Sequence, residues 1–208
     1  EALKLLSYIE DYPLALYQSA YLWDKKGEKL KSESLLAKAN SLSPDFVYPF
    51  RPKTLDYLSW AESKSDDWKI KYYQGLTYWA NQQKDKALNL LNDCSPSDYA
   101  PFYLSRAQLQ TGDKSLQDML MAEKIEKSWR AGLALLNYYT AEENWRKVIE
   151  VGKVYSKLYP ENYYIALKYA KGLCETQQYR ACISLLEKVQ VLPNEGSYAG
   201  REVYRNAN

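Results

Sequence analysis

Apolar residues recur at intervals of three and four along most of the chain, which predicts amphipathic α-helices. The clearest stretch, residues 13–44, reads PLALYQSAYLWDKKGEKLKSESLLAKANSLSP. Gly27 lies in a polar turn there, between helical patterns that we predict over 13–25 and 29–42 and expect to pair. Strict alternation of apolar and polar residues is rare. The pattern therefore predicts an all-α fold.

The spacing of this stretch recurs further along the chain. Counted from Leu16, small or apolar residues stand at offsets +3, +4, +7, +16 and +20, and Pro44 stands at +28. Counted from Gly132, the same offsets again end in a proline, Pro160, and the next copy begins 34 residues later at Ala166. A further copy begins at Lys71. The residue at +4 is usually small and is Ala20, Gly75, Leu136 or Ala170.

These offsets are those of the tetratricopeptide repeat (TPR) pattern W-x2-L-G-x2-Y, then A-x3-F, then P. The chain therefore resembles the TPR family. The resemblance implies a single solenoid over 1–208, a right-handed superhelix of antiparallel helix pairs. The second helix of the last pair should bury Leu186. We divide the chain into a half unit (1–10), unit 1 (13–44), an insert (45–66), unit 2 (68–94), a degenerate unit 3 of unclear register (100–126), unit 4 (128–160), unit 5 (162–193) and a C-terminal cap (197–208).

Within these units the pattern predicts further helices. Ser128 is a plausible N-cap of one helix, and Asp98 of another. Because the half unit has no partner helix and the chain begins at Glu1, we expect a piece excised from a longer protein. The cap could equally be the start of a further unit. The predicted helices cover 68–81, 85–92, 100–110, 114–126, 129–141, 145–158, 162–176, 179–189 and 201–207.

The insert interrupts the repeat. Pro44 just before it, together with Pro49 and Pro52 within it, predicts an extended first part. The pattern over 54–63 predicts one short helix. We expect this helix to pack on the solenoid rather than belong to a flexible linker. The segment is too apolar for a solvated linker, because it carries Phe46, Tyr48, Phe50, Tyr57 and Trp60.

Composition removes several classes of function. The chain is 46% hydrophobic and 26% charged, which excludes disorder, and its net charge of +2 without a long basic run argues against nucleic-acid binding. No apolar run approaches the length of a membrane span. It has no histidine, its three cysteines match no zinc spacing, and it has no glycine-rich phosphate loop. We therefore predict no catalysis, cofactor or metal for this segment; a catalytic domain upstream is possible.

The TPR resemblance also implies a concave binding groove, lined by first-helix residues that face away from the packing stripe. A tyrosine- and tryptophan-rich cluster there is typical of a binding site, unless the insert covers it. A chaperone-type clamp for a C-terminal carboxylate is disfavoured: Asn137 and Lys168 match it, but Tyr17 and Tyr21 stand where Lys and Asn are needed. The candidate groove residues are Tyr17, Tyr21, Tyr72, Leu76, Trp79, Asn137, Lys168 and Lys171.

A narrower resemblance extends over nearly the whole chain. The segments VYPFRPKTLDYLSWA, WKIKYYQGLTYW, SDYAPFYLSRAQ, SWRAGLALLNYYTAEENW and VLPNEGSYAGREVYRNA resemble the TPR-rich C-terminal region of large bacterial proteins. In those proteins the upstream region is an uncharacterised β-rich domain similar to mutarotase-like folds, which implies a carbohydrate-related partner domain in cis. We therefore expect a scaffold that binds a protein segment or its own upstream domain. The alternative is an accessory region of a carbohydrate-active protein that contacts glycan.

Overall fold

The computed structural model describes residues 2–94, 98–189 and 198–207, and all the regular structure in these ranges is α-helical. The chain divides into two compact units, Glu1–Ser97 and Asp98–Asn208. The first unit contains α1 (Ala2–Leu6), α2 (Pro13–Lys25), α3 (Lys29–Ser41), α4 (Thr54–Glu62), α5 (Trp68–Ala80) and α6 (Lys84–Asn92).

The second unit contains seven helices in the ranges that the structure describes. In sequence order they are α7 (Ala100–Ala107), α8 (Gly112–Ile125), α9 (Trp129–Ala141), α10 (Trp145–Leu158), α11 (Tyr163–Glu175), α12 (Tyr179–Leu186) and α13 (Tyr198–Ala207). Consecutive helices pack in pairs, and α11 contacts both helices of the pair before it, α9 and α10.

The predicted all-α fold is confirmed, and most helices begin and end close to their predicted bounds. The helices predicted over 129–141 and 145–158 have those bounds in the structure. Within the predicted half unit 1–10, the helix α1 covers only Ala2–Leu6. Pro193, the last residue of the predicted unit 5, lies outside the described residues.

In four helix pairs, the same type of turn joins the first helix to the second. In each, the second residue after the last helical residue has a left-handed backbone, and the amide that follows it donates to a carbonyl five residues earlier, the arrangement of a Schellman motif. This residue stands eleven positions after the start of each predicted repeat. The four residues and their φ angles are Gly27 (81°), Gln82 (62°), Glu143 (52°) and Gln177 (60°). The closing bonds run from Glu28 N to Trp23 O, Gln83 N to Tyr78 O, Asn144 N to Tyr139 O and Gln178 N to Leu173 O.

Small residues on one helix admit large residues of its neighbour. A Cβ atom on Gly75 would lie 2.9 Å from Leu91 Cδ2, and one on Gly132 would lie 2.2 Å from Tyr155 Cδ1. Leu91 and Tyr155 are both buried, so neither has room to move away. The glycines therefore allow these helices to pack closely. In the second unit the core clusters contain Leu136, Val148, Tyr155 and Ile165, and then Ala170, Leu173, Cys182 and Ala207.

One pair of hydrogen bonds fixes the register of the degenerate third repeat. Buried Ser32 donates its hydroxyl to Ala20 O across twelve residues, at 2.8 Å. Buried Ser115 donates to Ala107 O across eight residues, at 2.7 Å. Ser115 therefore corresponds to Ser32, and the segment between donor and acceptor is four residues shorter in the third repeat, because α7 ends at Ala107 whereas α2 continues beyond Ala20 to Lys25. This deletion explains why the sequence offsets fail there.

Two predicted details need correction, and a third is confirmed. Leu186 is only partly buried, whereas Cys182 on the same helix is fully buried. The N-cap of α7 is Tyr99 rather than Asp98, and it makes no side-chain capping bond. Ser128 does cap α9, because its side chain accepts a hydrogen bond from Ala131 N.

Candidate functional site

Tyr17, the first residue of the predicted aromatic cluster, is a core residue. Its side chain has no solvent exposure, and its ring packs edge-on against Tyr73 with the centroids 6.3 Å apart. Its hydroxyl donates to Asn40 Oδ1 at 2.7 Å, which satisfies the buried polar group. Burial, and then the charge of Asp67, raise the pKa of Tyr17. Tyr17 therefore stabilises the contact of α2 with α3 and α5 and lines no open groove.

The insert covers the next part of the predicted face. Half-buried Tyr21 packs against Trp60 of α4, with the ring centroids 5.9 Å apart. Trp60 Nε1 donates to Asp24 Oδ2 at 2.9 Å, so the indole is held at both its ring face and its polar edge. Helix α4 contacts both α2 and α5. The insert therefore fills the space that two adjoining repeats would leave open.

The remaining aromatic positions on α5 differ in exposure. Tyr72 is buried against Trp68 and Tyr73, at centroid distances of 5.7 and 5.8 Å. Leu76 and Trp79 are half-buried. The structure thus leaves only part of the predicted aromatic face of the first unit accessible to a partner.

Two predicted residues of the second unit meet at a cleft between α11 and α13. Lys168 and Lys171 line this cleft, whose volume is about 330 Å³, together with Glu202 of α13. Burial, and then the charge of Lys171, lower the pKa of Lys168. The Lys171 ammonium lies 5.7 Å from the centroid of the Trp145 ring, a cation–π distance. Asn137 of α9 is exposed and does not line this cleft.

Three strongly exposed aromatic residues lie in the part of the insert before α4. Phe46, Tyr48 and Phe50 alternate with buried Val47 and Pro49. The exposed fractions of the three aromatic side chains are 84%, 70% and 63%. Successive side chains of an extended segment point to opposite sides, so Val47 and Pro49 anchor the segment while Tyr48 and Phe50 face outward. Asn81 Nδ2 also donates to Phe50 O at 2.9 Å, which ties the segment to the end of α5.

The backbone of this segment is constrained at both ends. Phe46 has a φ angle of 59°, a left-handed conformation that a bulky aromatic residue rarely adopts. Pro44, Pro49 and Pro52 restrict the residues on either side of them. Such strain persists only where the surrounding structure fixes the chain, and it is commonest at functional positions.

An aromatic groove of about 260 Å³ lies beside this segment. The insert forms one side, and α1 and the start of α2 form the other. Its polar side chains are hydroxyls, an amide and the guanidinium of Arg51, which lies 5.5 Å from the centroid of the Phe50 ring. No carboxylate is among the described residues that line it. We define the aromatic groove by these lining residues: Leu6, Ile9, Tyr12, Leu14, Ala15, Gln18, Tyr48, Pro49, Phe50, Arg51, Thr54 and Tyr57.

Two lining hydroxyls are partly withdrawn from water. Burial raises the pKa of Tyr12 and of Tyr57 above the ordinary value of 10.0, at which a phenol is already neutral at physiological pH. Each can then donate a hydrogen bond. The groove thus combines apolar ring surface with hydrogen-bond donors.

The expected packing of the insert helix is found, since α4 contacts α2 and α5, but we did not predict from the sequence which apolar side chains of the insert are exposed. Phe46, Tyr48 and Phe50 are exposed, and the buried residues are those between them. The signal was present in the sequence, because prolines predict an extended chain and an extended chain separates alternate residues onto two sides.

Metal binding and membrane insertion were both considered for the part of the chain that the structure describes. No group of three or more Asp, Glu or Cys side chains is arranged to hold a metal ion in these ranges. None of the described helices is both long enough and apolar enough to cross a membrane.

Comparison with known proteins assigns the chain to no family. No protein-family model matches it, and no curated protein sequence is significantly similar to it.

Proposed function

We propose that the chain is a non-catalytic protein-interaction scaffold of the TPR type, a right-handed superhelix of antiparallel helix pairs that binds a protein segment or its own upstream domain. The observation that carries the binding role is the aromatic groove. Its exposed Tyr48 and Phe50 stand on a backbone held by buried Val47 and Pro49. Exposed apolar surface of this kind marks interaction sites, because burying it removes ring area from water.

The repeat pattern supports the scaffold class. The left-handed turn residue recurs at the same offset in four helix pairs, and the small residue at +4 is fully or nearly fully buried in the pairs that begin at Leu16, Lys71 and Ala166. These are the packing positions that the TPR pattern requires. The TPR hypothesis therefore rests on two independent recurring features, the left-handed turn and the small residue at +4.

The binding surface differs from the face expected of a regular TPR array. In the first unit the insert packs Trp60 onto Tyr21, while Tyr17 and Tyr72 belong to the core. The same insert presents Tyr48 and Phe50 on another side. We therefore place the main contact for a partner in the aromatic groove, with Leu76 and Trp79 as a secondary surface.

A glycan-contacting accessory role is the second candidate, because exposed tyrosine rings can also pack against the apolar faces of sugars. Sugar hydroxyls donate as well as accept hydrogen bonds, so a glycan site needs acceptor side chains. The described lining of the aromatic groove supplies side-chain acceptors only from hydroxyls and the Gln18 amide and contains no carboxylate, the charged acceptor that binds hydroxyl groups most strongly. A protein segment is therefore the better fit.

Selection of peptides from a random display library tests the proposal. The intact chain and the double variant Tyr48→Ala/Phe50→Ala are screened in parallel. The matched control is Tyr164→Ala, which removes a ring that is 60% exposed on the other unit. We expect peptides that bind the intact chain and the control but not the double variant.

A glycan array screened with the same three proteins tests the alternative. Glycans bound through Tyr48 and Phe50, with no peptide selected, would replace the scaffold proposal by the accessory role. Peptides retained equally by the double variant would show that the aromatic groove is not the binding surface.

A further inference from the structure

We infer that the aromatic groove binds a proline-rich segment in the polyproline II conformation. This inference rests on the proposed scaffold function and names the class of its partner. Three features of the groove carry it: the rings that line it, the kind of hydrogen-bonding groups it offers, and the rigidity of the insert.

The rings come from three parts of the chain that converge on one cleft. Tyr12 is the N-cap residue of α2, Tyr57 belongs to α4, and Tyr48 and Phe50 belong to the extended segment. Proline-rich segments dock in grooves lined by aromatic side chains, because the flat rings pack against the pyrrolidine rings. A groove of about 260 Å³ is also small, which suits side chains without long branches.

The hydrogen-bonding groups match a ligand that mainly accepts. A polyproline II segment makes no internal hydrogen bonds, and each proline offers a carbonyl but no N–H. The described lining supplies donors from Tyr12, Gln18 and Arg51 and has no carboxylate acceptor. The guanidinium of Arg51 can only donate, so it favours a ligand that presents carbonyl oxygens, while the hydroxyls and the Gln18 amide can donate to such a ligand as well.

Both sides of the contact are already ordered before binding. Buried Val47 and Pro49 hold the segment, and Phe46 is fixed in a left-handed conformation. A proline-rich ligand is similarly restricted in the free state. Association therefore loses little conformational entropy, which favours binding despite the small size of the groove.

The test uses two phage libraries of equal length, one with a fixed P-x-x-P core and one without proline, screened on the whole chain. We expect enrichment of the P-x-x-P library on the intact chain and on Tyr164→Ala, and none on Tyr48→Ala/Phe50→Ala. Replacing both fixed prolines of a selected peptide by alanine should weaken binding at least tenfold, as measured by fluorescence anisotropy. Loss of the lining hydroxyl in Tyr12→Phe should weaken it by a smaller factor.

The outcomes separate this inference from the proposed function. Enrichment of the proline-free library alone, still dependent on Tyr48 and Phe50, would overturn the polyproline inference and leave the scaffold role intact. Equal enrichment of both libraries would also overturn it. Failure of both libraries on the intact chain would count against both proposals. Circular dichroism of each variant confirms that it is folded, so that lost binding is not mistaken for lost structure.

Discussion

In three of the four recurring turns the left-handed residue is exposed and is not glycine. This allows a quantitative prediction for one of them, Gln177. Gln177 has a φ angle of 60° in the turn between α11 and α12 and an exposed side chain. A left-handed conformation costs an L-residue roughly 1–2 kcal/mol, whereas glycine adopts it freely. Glycine in turn loses more backbone freedom on folding, by roughly 0.5–1 kcal/mol. Gln177→Gly should therefore stabilise its unit by about 0.5–1 kcal/mol.

The same substitution elsewhere supplies the control. Gln117 is exposed too, but it lies within α8 of the same unit, where the backbone is right-handed. Gln117→Gly should cost about 0.5–1 kcal/mol, because only the entropic term remains. The two variants have the same composition, so any difference between them reports the backbone conformation at residue 177.

Gly27 tests the turn in the opposite direction. Its φ angle is 81°, and nothing lies within 4 Å of the position that a Cβ would occupy. Gly27→Ala therefore introduces no clash, and its expected cost of roughly 1–2 kcal/mol comes from the backbone alone.

Urea unfolding followed by circular dichroism measures all three variants. With unchanged slopes, the midpoint should rise for Gln177→Gly and fall for Gln117→Gly and Gly27→Ala. If Gln177→Gly loses as much stability as Gln117→Gly, residue 177 is not left-handed in solution. The four turns would then not be equivalent, and one of the two features that support the TPR hypothesis would be lost.

Further predictions concern packing and pH. Gly132→Ala should cost roughly 1–3 kcal/mol by overpacking, measured by urea unfolding, because its Cβ would lie 2.2 Å from buried Tyr155. Tyr21→Ala should lower stability by about 1–2 kcal/mol through the lost contact with Trp60; an unchanged melting temperature would show that the insert does not cover this face. Burial raises the pKa of Cys182 to about 11 from its ordinary value of 9.0. The folded chain thus holds this proton more tightly than the unfolded chain, so stability should fall as the pH rises from about 9 to about 11, and a Cys182→Ala variant should show a weaker loss.

The helices could be predicted from the sequence because their positions depend on local spacing. The helix α9 begins after a Ser128 cap and carries apolar residues every three or four positions, so its bounds follow from the sequence alone. The position of the turn after α9 could be predicted, but its backbone conformation could not, because Glu143 is an unusual residue for a left-handed position. Tertiary packing of the helix pair on either side evidently determines the conformation of this turn.

The candidate site was harder to predict, because burial on a repeat face depends on what covers it. Tyr17 and Tyr21 have the offsets of groove residues, and nothing local distinguishes them from accessible ones. Their burial depends on contacts with residues that are distant in sequence, Asn40 for the first and Trp60 for the second. A periodic pattern therefore predicts which residues share a face, while only the fold tells whether that face is free.

The two parts of the insert, α4 and the segment before it, explain why the predicted face is covered and why other aromatic residues are exposed. An insertion between repeats would ordinarily expose the apolar faces of the helices on either side of it. Here Trp60 and buried Leu58 of α4 occupy that position, so the first unit keeps a closed core. The preceding segment is anchored by buried Val47 and Pro49, while Tyr48 and Phe50 are mostly exposed. Because alternate residues of an extended chain are decoupled in this way, the aromatic groove could change its specificity through Tyr48 and Phe50 without loss of the fold.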